Sequence, residues 1–205
     1  MAEAAAGIIG GLLAGITLRA PYIAQSFVAF IALPAAITLV EPSRKVPLMK
    51  AGIMEIIHIA RFALFEDRTL RRNILFSAII GCSTLTMAWF AQPFFEFTNI
   101  KIGWYGLLWT SLNLTVAITS YTAHRVESRL GQKWSILIIA LMIPLGYLAL
   151  GRFHVSTGLI ILYLFYLIRG YATPVLKDYI NRVTESHIRA TVLSVRNFII
   201  RLLFA

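Results

Sequence analysis

The sequence predicts an all-α, polytopic bundle of transmembrane helices, and three observations carry that expectation. Of 205 residues, 59% are hydrophobic and 14% charged, whereas soluble domains hold about 45–50% and about 25% respectively. The apolar residues gather into long uncharged runs, each near the roughly 20 residues that a membrane-crossing helix needs. The Lys and Arg residues behind the net charge of +10 sit mostly in alternate connections between those runs, the pattern that orients a membrane protein with its basic side in the cytoplasm.

Taken in chain order, residues 4–18 form an apolar, glycine-rich stretch with Gly7, Gly10, Gly11 and Gly15, small residues that let helix backbones approach closely in lipid. At 15 residues it is short for a span and reads as the cut end of a longer helix. Its start, Met1-Ala2-Glu3, lacks the basic region that opens a signal peptide. Residues 20–40 carry no charge and stop at Glu41-Pro42, which makes a complete span. The stretch 41–73 is basic, and beyond Pro47 it is amphipathic: Glu55, His58 and Arg61 recur at threes opposite Ile53, Ile56, Ile57, Ala60 and Leu64. It is expected to lie along the cytoplasmic interface. As a span it would place Lys50, Glu55 and Arg61 in hydrocarbon at about 2.5–3.5 kcal/mol each.

Residues 73–95, 102–124 and 134–151 are free of Lys, Arg, Asp and Glu and give three further spans, and 153–176 gives another whose one charge is Arg169. Residues 190–205 are apolar but short and hold Arg196 and Arg201, again the look of a cut helix. With this threading, thirteen Lys and Arg residues fall in 41–73, 125–133 and 177–189, against Arg19, Lys101 and Arg152 in the alternate loops. The chain thus divides into two helices over 1–40, a cytoplasmic linker over 41–73, and a bundle of four spans plus a truncated last helix over 74–205.

Several function classes drop out. Cys82 is the one cysteine, so no internal disulfide forms, and no Cys and His spacing suits a metal; no cofactor is expected. The basic charge is accounted for by topology, not by nucleic acid. His58, His124, His154 and His187 are scattered over different loops and sides, and no hydrolase or metalloprotease motif occurs, so an enzyme is not expected.

Gly10-Gly11-Leu12-Leu13-Ala14 with Leu18-Arg19-Ala20-Pro21-Tyr22, and then Trp89-Phe90-Ala91-Gln92-Pro93, open an ordered set of strings that resembles the major facilitator superfamily of transporters, bacterial type, from the end of the fifth helix to the start of the eleventh. The first two are similar to the family's fifth-to-sixth turn and the third to its outer seventh helix. Glu127-Ser128-Arg129-Leu130-Gly131-Gln132-Lys133 resembles the degenerate second copy of the Asp-Arg-x-Gly-Arg-Lys loop, with Ser128 at the aspartate position and Gln132 at that of the second arginine. Arg169-Gly170 through Pro174, Tyr179-Ile180-Asn181, and Ser186 through Ser194 resemble the tenth helix and the entry to the eleventh. The resemblance implies a partial C-terminal half of a secondary active transporter, permease or efflux pump, working by alternating access around a midplane cavity. It implies the missing half as a partner, a lipid bilayer, a small-molecule substrate, and a multi-pass place in the bacterial inner membrane. A noncatalytic membrane subunit without transport of its own is the alternative.

Candidate residues follow. Arg169 lies 13 residues from both Ser156 and Arg182, which puts it at mid-membrane at 1.5 Å per residue. Intramembrane charges are functional by default, although bonding to backbone carbonyls or a neighbouring helix would serve packing alone. Arg201 is expected to lie deep and face the same cavity, whereas Arg196 is expected nearer the interface, where it can snorkel. Two inward arginines favour anionic or amphipathic cargo. Gln92 and Glu96 share a helix face beside Pro93 and suit a gate, a substrate contact in the cavity or a solvated rim, and Asn113 suits either the cavity lining or a bond within its own helix or to a neighbour. On the cytoplasmic side the resemblance implies a latch of Glu127, Arg129 and Lys133 with Asp178 and Arg189; solvated loop charges are the plainer reading.

Overall fold

A computed structural model describes residues 2–39, 52–152 and 156–205; the first part of the expected linker, 41–51, lies outside the described residues. Among the described residues there are seven α-helices and no strand: α1 (Ala2–Ile16), α2 (Ala20–Ile37), α3 (Ile53–Arg61), α4 (Arg68–Phe97), α5 (Tyr105–Arg152), α6 (Ser156–Arg182) and α7 (Arg189–Phe204). Three helical segments, Arg68–Phe97, Ile102–Arg152 and Gly158–Arg182, are long and apolar enough to cross a membrane.

The helix boundaries have local causes. α4 begins at Asp67, whose Oδ1 accepts from the backbone N–H of Thr69 (2.8 Å) and Leu70 (2.9 Å), the N-cap bond that satisfies otherwise orphaned donors. The helix therefore starts five residues ahead of the expected 73. It ends at Asn99, with φ of 54°, a left-handed cap that Asn tolerates better than most residues. The expected loop at 125–133 is nearly absent, because helical geometry continues through it and breaks only at Gly131 (φ 78°, ψ 162°). That backbone conformation is essentially restricted to glycine, so one residue divides α5 into two limbs, 105–130 and 132–152.

Cross-contacts give the course of the chain. Asn73 Nδ2 donates to the Tyr179 carbonyl (3.4 Å), while the Phe94 ring lies where a Gly158 side chain would be, so α4 and α6 are antiparallel. The first limb of α5 runs parallel to α6, joined by the Ser111 and Tyr163 hydroxyls, by Ser120 Oγ to the Gly170 carbonyl (2.8 Å), and by Glu127 to Arg182. The second limb runs antiparallel to α6, through the Ser135 and Tyr171 hydroxyls (2.6 Å) and the packing of Gly146 against Phe165. α7 lies parallel to α4, with Arg196 on Ser77 and Trp89 beside Phe204 at 6.1 Å. The five segments alternate up and down. In consequence the basic stretches 68–73, 125–133 and 177–189 meet at one end, and the 97–101 turn lies at the other.

The main core, with Phe95, Leu112, Ile139, Leu162 and Tyr166, fills the space between α4, both limbs of α5 and α6. A smaller one, of Ala63, Leu70, Ile74, Ile180 and Val192, seals the basic end and takes in Phe62 and Leu64 from the π-helical turn Phe62–Glu66. α3 is nine residues long, about 13 Å, and leads into that turn without reaching across the bundle. α1 packs on the start of α5 through glycine: a Cβ on Gly11 would lie 2.8 Å from Gly106 Cα, and one on Gly106 would lie 2.6 Å from the Gly7 carbonyl oxygen. α2 is exposed nearly all round.

Candidate functional site

A cavity of about 600 Å³ opens between α1, α4, α5 and α6. Helix α1 contributes Ala6 and Gly7, α4 contributes Ala88, Trp89 and Gln92, α5 contributes Trp109 and Asn113, and α6 contributes Arg169. Three residues singled out from the sequence, Arg169, Gln92 and Asn113, thus meet at one place. They come from the centre of α6, the last third of α4 and the first turns of α5, so the cavity lies between the middle of the bundle and the end away from the basic loops.

Arg169 is half-buried at the midpoint of the 27-residue α6. Its Cζ lies 5.8 Å from the centroid of the Tyr166 ring, one turn away, and that ring meets Trp109 edge-on at 6.4 Å. Among the described residues no carboxylate pairs with Arg169, and none lines the cavity. Asn113 Nδ2 donates to the Trp109 carbonyl (2.9 Å), so it both lines the cavity and bonds within its own helix. Glu96, on the same helix as Gln92, is exposed and lies outside the lining.

The two arginines of α7 take places opposite to those expected. Arg201 is exposed and away from the cavity, whereas Arg196 is 5% exposed, with Nε donating to Ser77 Oγ (2.5 Å) and Nη1 to Asn197 Oδ1 (3.0 Å). The reason is angular. Five residues turn a helix by about 140° beyond a full circle, so when Arg196 faces α4, Arg201 cannot.

At the basic end Glu127 is buried, accepting from the Tyr179 hydroxyl (3.1 Å) and from Arg182 Nη2 (3.3 Å), and the same Arg182 nitrogen pairs with Asp178 at 2.6 Å. His124 and Asp178 border a small recess beside them. Of the five residues expected to form a latch, Glu127 and Asp178 meet through Arg182, which the sequence reading had counted only as a topology charge. Arg129 and Lys133 are exposed. Arg189 turns instead to the C-terminal end of α6, where Nη2 donates to the Asn181 and Thr184 carbonyls (3.2 Å each), satisfying acceptors that a helix end leaves orphaned. The bonds of Glu127 join α5 to α6 and the Arg182–Asp178 pair lies within α6; among the described residues none of them reaches α1 or α2.

Among the described residues no group of His, Cys, Asp and Glu could hold a metal ion. The chain matches no protein-family model, no curated protein and no solved structure. Among the described residues, fold and site together define a physical class: an all-α bundle with three helices long and apolar enough to cross a membrane, and a mostly apolar cavity that holds one charged side chain.

Proposed function

We propose that this chain is part of a secondary active membrane transporter, similar to the major facilitator superfamily, which moves a small molecule by alternating access in the bacterial inner membrane. The observation that carries the reading is the cavity, where a charged residue at mid-helix meets two carboxamides from two other helices between long apolar walls. An arginine at that depth is costly in lipid unless it serves a ligand or a partner. The gathering of cationic connections at one end supports a cytoplasmic face there, with the cavity then opening toward the outer half. Walls supplied by α1 on one side and α4–α6 on the other suit a site between two moving parts.

A membrane subunit without transport of its own is the second reading, favoured by α2, whose nearly complete exposure leaves it ready to pack on other helices. Proteoliposomes carrying the full chain separate the two. Labelled organic acids, amino acids and sugars are offered under an imposed pH or sodium gradient, and saturable accumulation is expected for at least one. Arg169→Ala abolishes it while the protein still inserts. No accumulation across the panel, or equal accumulation by the variant, ends the transport reading of this site.

A further inference from the structure

We propose that the cavity takes a monoanionic aromatic molecule, with the anion on Arg169 and the ring between Trp89 and Trp109; this deepens the transport reading and rests on it. The charge argument comes first. Among the described residues Arg169 is the one charged side chain in the lining, and the others are neutral: Gln92, Asn113, two indoles and small aliphatic residues. The Tyr166 ring face, at 5.8 Å, offers a quadrupole and no counter-charge. A single anionic group is therefore what this site lacks. A dianion would leave its second charge facing carboxamides and indoles, and a cation would meet a guanidinium with no acid to offset it.

The shape argument is independent of charge. Trp89 and Trp109 stand on different helices and share the lining with the small residues Ala6 and Ala88, while Gly7 packs closely on Trp109. Two indoles among small residues give a mostly apolar wall suited to a flat apolar body, and sites for drug-sized molecules generally combine apolar walls with a few placed polar groups. Gln92 and Asn113 then suit a second polar substituent. A hexose would use the indoles and carboxamides as well, but its ring of hydroxyls would outnumber the polar partners available and leave the guanidinium without an anion.

The test uses the purified full chain in detergent and one ring with three heads: 2-naphthoate, 2-naphthylmethylammonium and 2-naphthalenemethanol. Binding is read as quenching of tryptophan fluorescence. Saturable quenching by 2-naphthoate is expected at concentrations at least about tenfold below those of the alcohol or the ammonium, since one good charge-assisted contact is worth about that factor or more. Arg169→Gln brings naphthoate to the level of the alcohol, and Arg169→Lys falls between. Trp109→Phe reduces the quenching amplitude, and Trp104→Phe, outside the cavity, does not. If both arginine variants misfold, the comparison of the three heads on the unchanged protein still decides. Equal affinity for the ammonium, unchanged naphthoate binding by both arginine variants, or displacement of naphthoate by glucose overturns the assignment. Binding with this charge order but no accumulation in proteoliposomes leaves the assignment standing and removes the transport reading. Accumulation of a sugar or a cation by a protein that does not bind naphthoate does the reverse.

Discussion

Replacing Ser77 with alanine tests the packing of α7 on α4 through its least tolerant contact. Arg196 is 5% exposed, and its Nε donates to Ser77 Oγ at 2.5 Å. The Asn197 side chain takes one further bond, from Nη1. Ser77→Ala removes one oxygen, so the cavity term is small, but it leaves a charged, buried donor without its acceptor. That costs about 1.5–3 kcal/mol, and about 2 kcal/mol lowers the folded-to-unfolded ratio roughly 30-fold. Arg196→Met removes charge and demand together, and the freed Ser77 hydroxyl can bond back to its own helix as Ser83 does with the Ile79 carbonyl. Swapping a buried charged group for an apolar one of similar volume is often neutral, so this variant is expected to lose less than about 1 kcal/mol. The assay is SDS titration in mixed micelles followed by tryptophan fluorescence, to which Trp89 contributes from the same seam, 6.1 Å from Phe204. The double variant should match Arg196→Met alone. A Ser77→Ala variant within about 0.5 kcal/mol of the parent, or an Arg196→Met that loses more than Ser77→Ala, would refute the reasoning.

Three further outcomes are expected. Gly131→Ala forces a Cβ onto φ 78° and ψ 162°; because nothing lies within 4 Å of that Cβ, the whole loss, about 1–3 kcal/mol, is backbone strain, and a variant as stable as the parent would show that the hairpin does not depend on it. Arg182→Met, which strips the cation from a Glu127 side chain 8% exposed, should cost about 1–2 kcal/mol once the half-exposed arginine is discounted for screening, whereas Asp178→Asn, at 45% exposed, costs under about 0.5; equal losses in the same unfolding titration would remove the special place of Glu127. In a background lacking Cys82, cysteine in place of Arg152 is expected to react with an impermeant thiol reagent added outside cells, and cysteine in place of Lys133 only after the membrane is opened; the reverse labelling would invert the proposed topology.

Helix positions were largely legible in the sequence because charge is expelled from apolar helices whatever their partners, so gaps between charges mark long apolar helices. Depth was legible too. Counting residues placed Arg169 at mid-helix, and Gln92 and Asn113 stand out as polar side chains within otherwise apolar runs. What counting could not give is rotation. A helix this apolar has no polar face to mark its outside, so the direction in which Arg196 and Arg201 point depends on where α4 lies, a tertiary fact. Arg182 escaped notice for a related reason: on a basic loop it looks like its neighbours, and only the fold brings the buried Glu127 beside it. Two signals were present and passed over. Asp67-Arg68-Thr69 has the form of a helix start, and Gly131 sits between stretches of good helix formers with no other turn residue beside it, the pattern expected where one left-handed position must reverse the chain.

Under the transport reading, the attachment of α1 couples the cavity to motion. Helix α1 meets the rest of the bundle mainly on the first limb of α5, with Gly7 and Gly11 on Gly106, a seam whose closeness depends on the absence of side chains. It also supplies one wall of the cavity, Ala6 and Gly7, opposite Arg169 on α6. A ligand touching both walls binds the closed arrangement and has fewer contacts once they part, so its differential affinity shifts the balance between the two states. Such a shift cannot exceed that differential affinity; a ligand held by Arg169, Trp109 and Asn113 alone, all on the α5 and α6 side, would bind tightly and move nothing. Under the transport reading, then, the small residues of α1 matter as much as the arginine. Gly106→Ala, which presses a methyl group on the Gly7 carbonyl, should weaken ligand-dependent protection of α1 from hydrogen exchange while leaving Arg169 in place. Protection of α1 by a bound ligand that is the same in parent and variant would show that this seam carries none of the coupling.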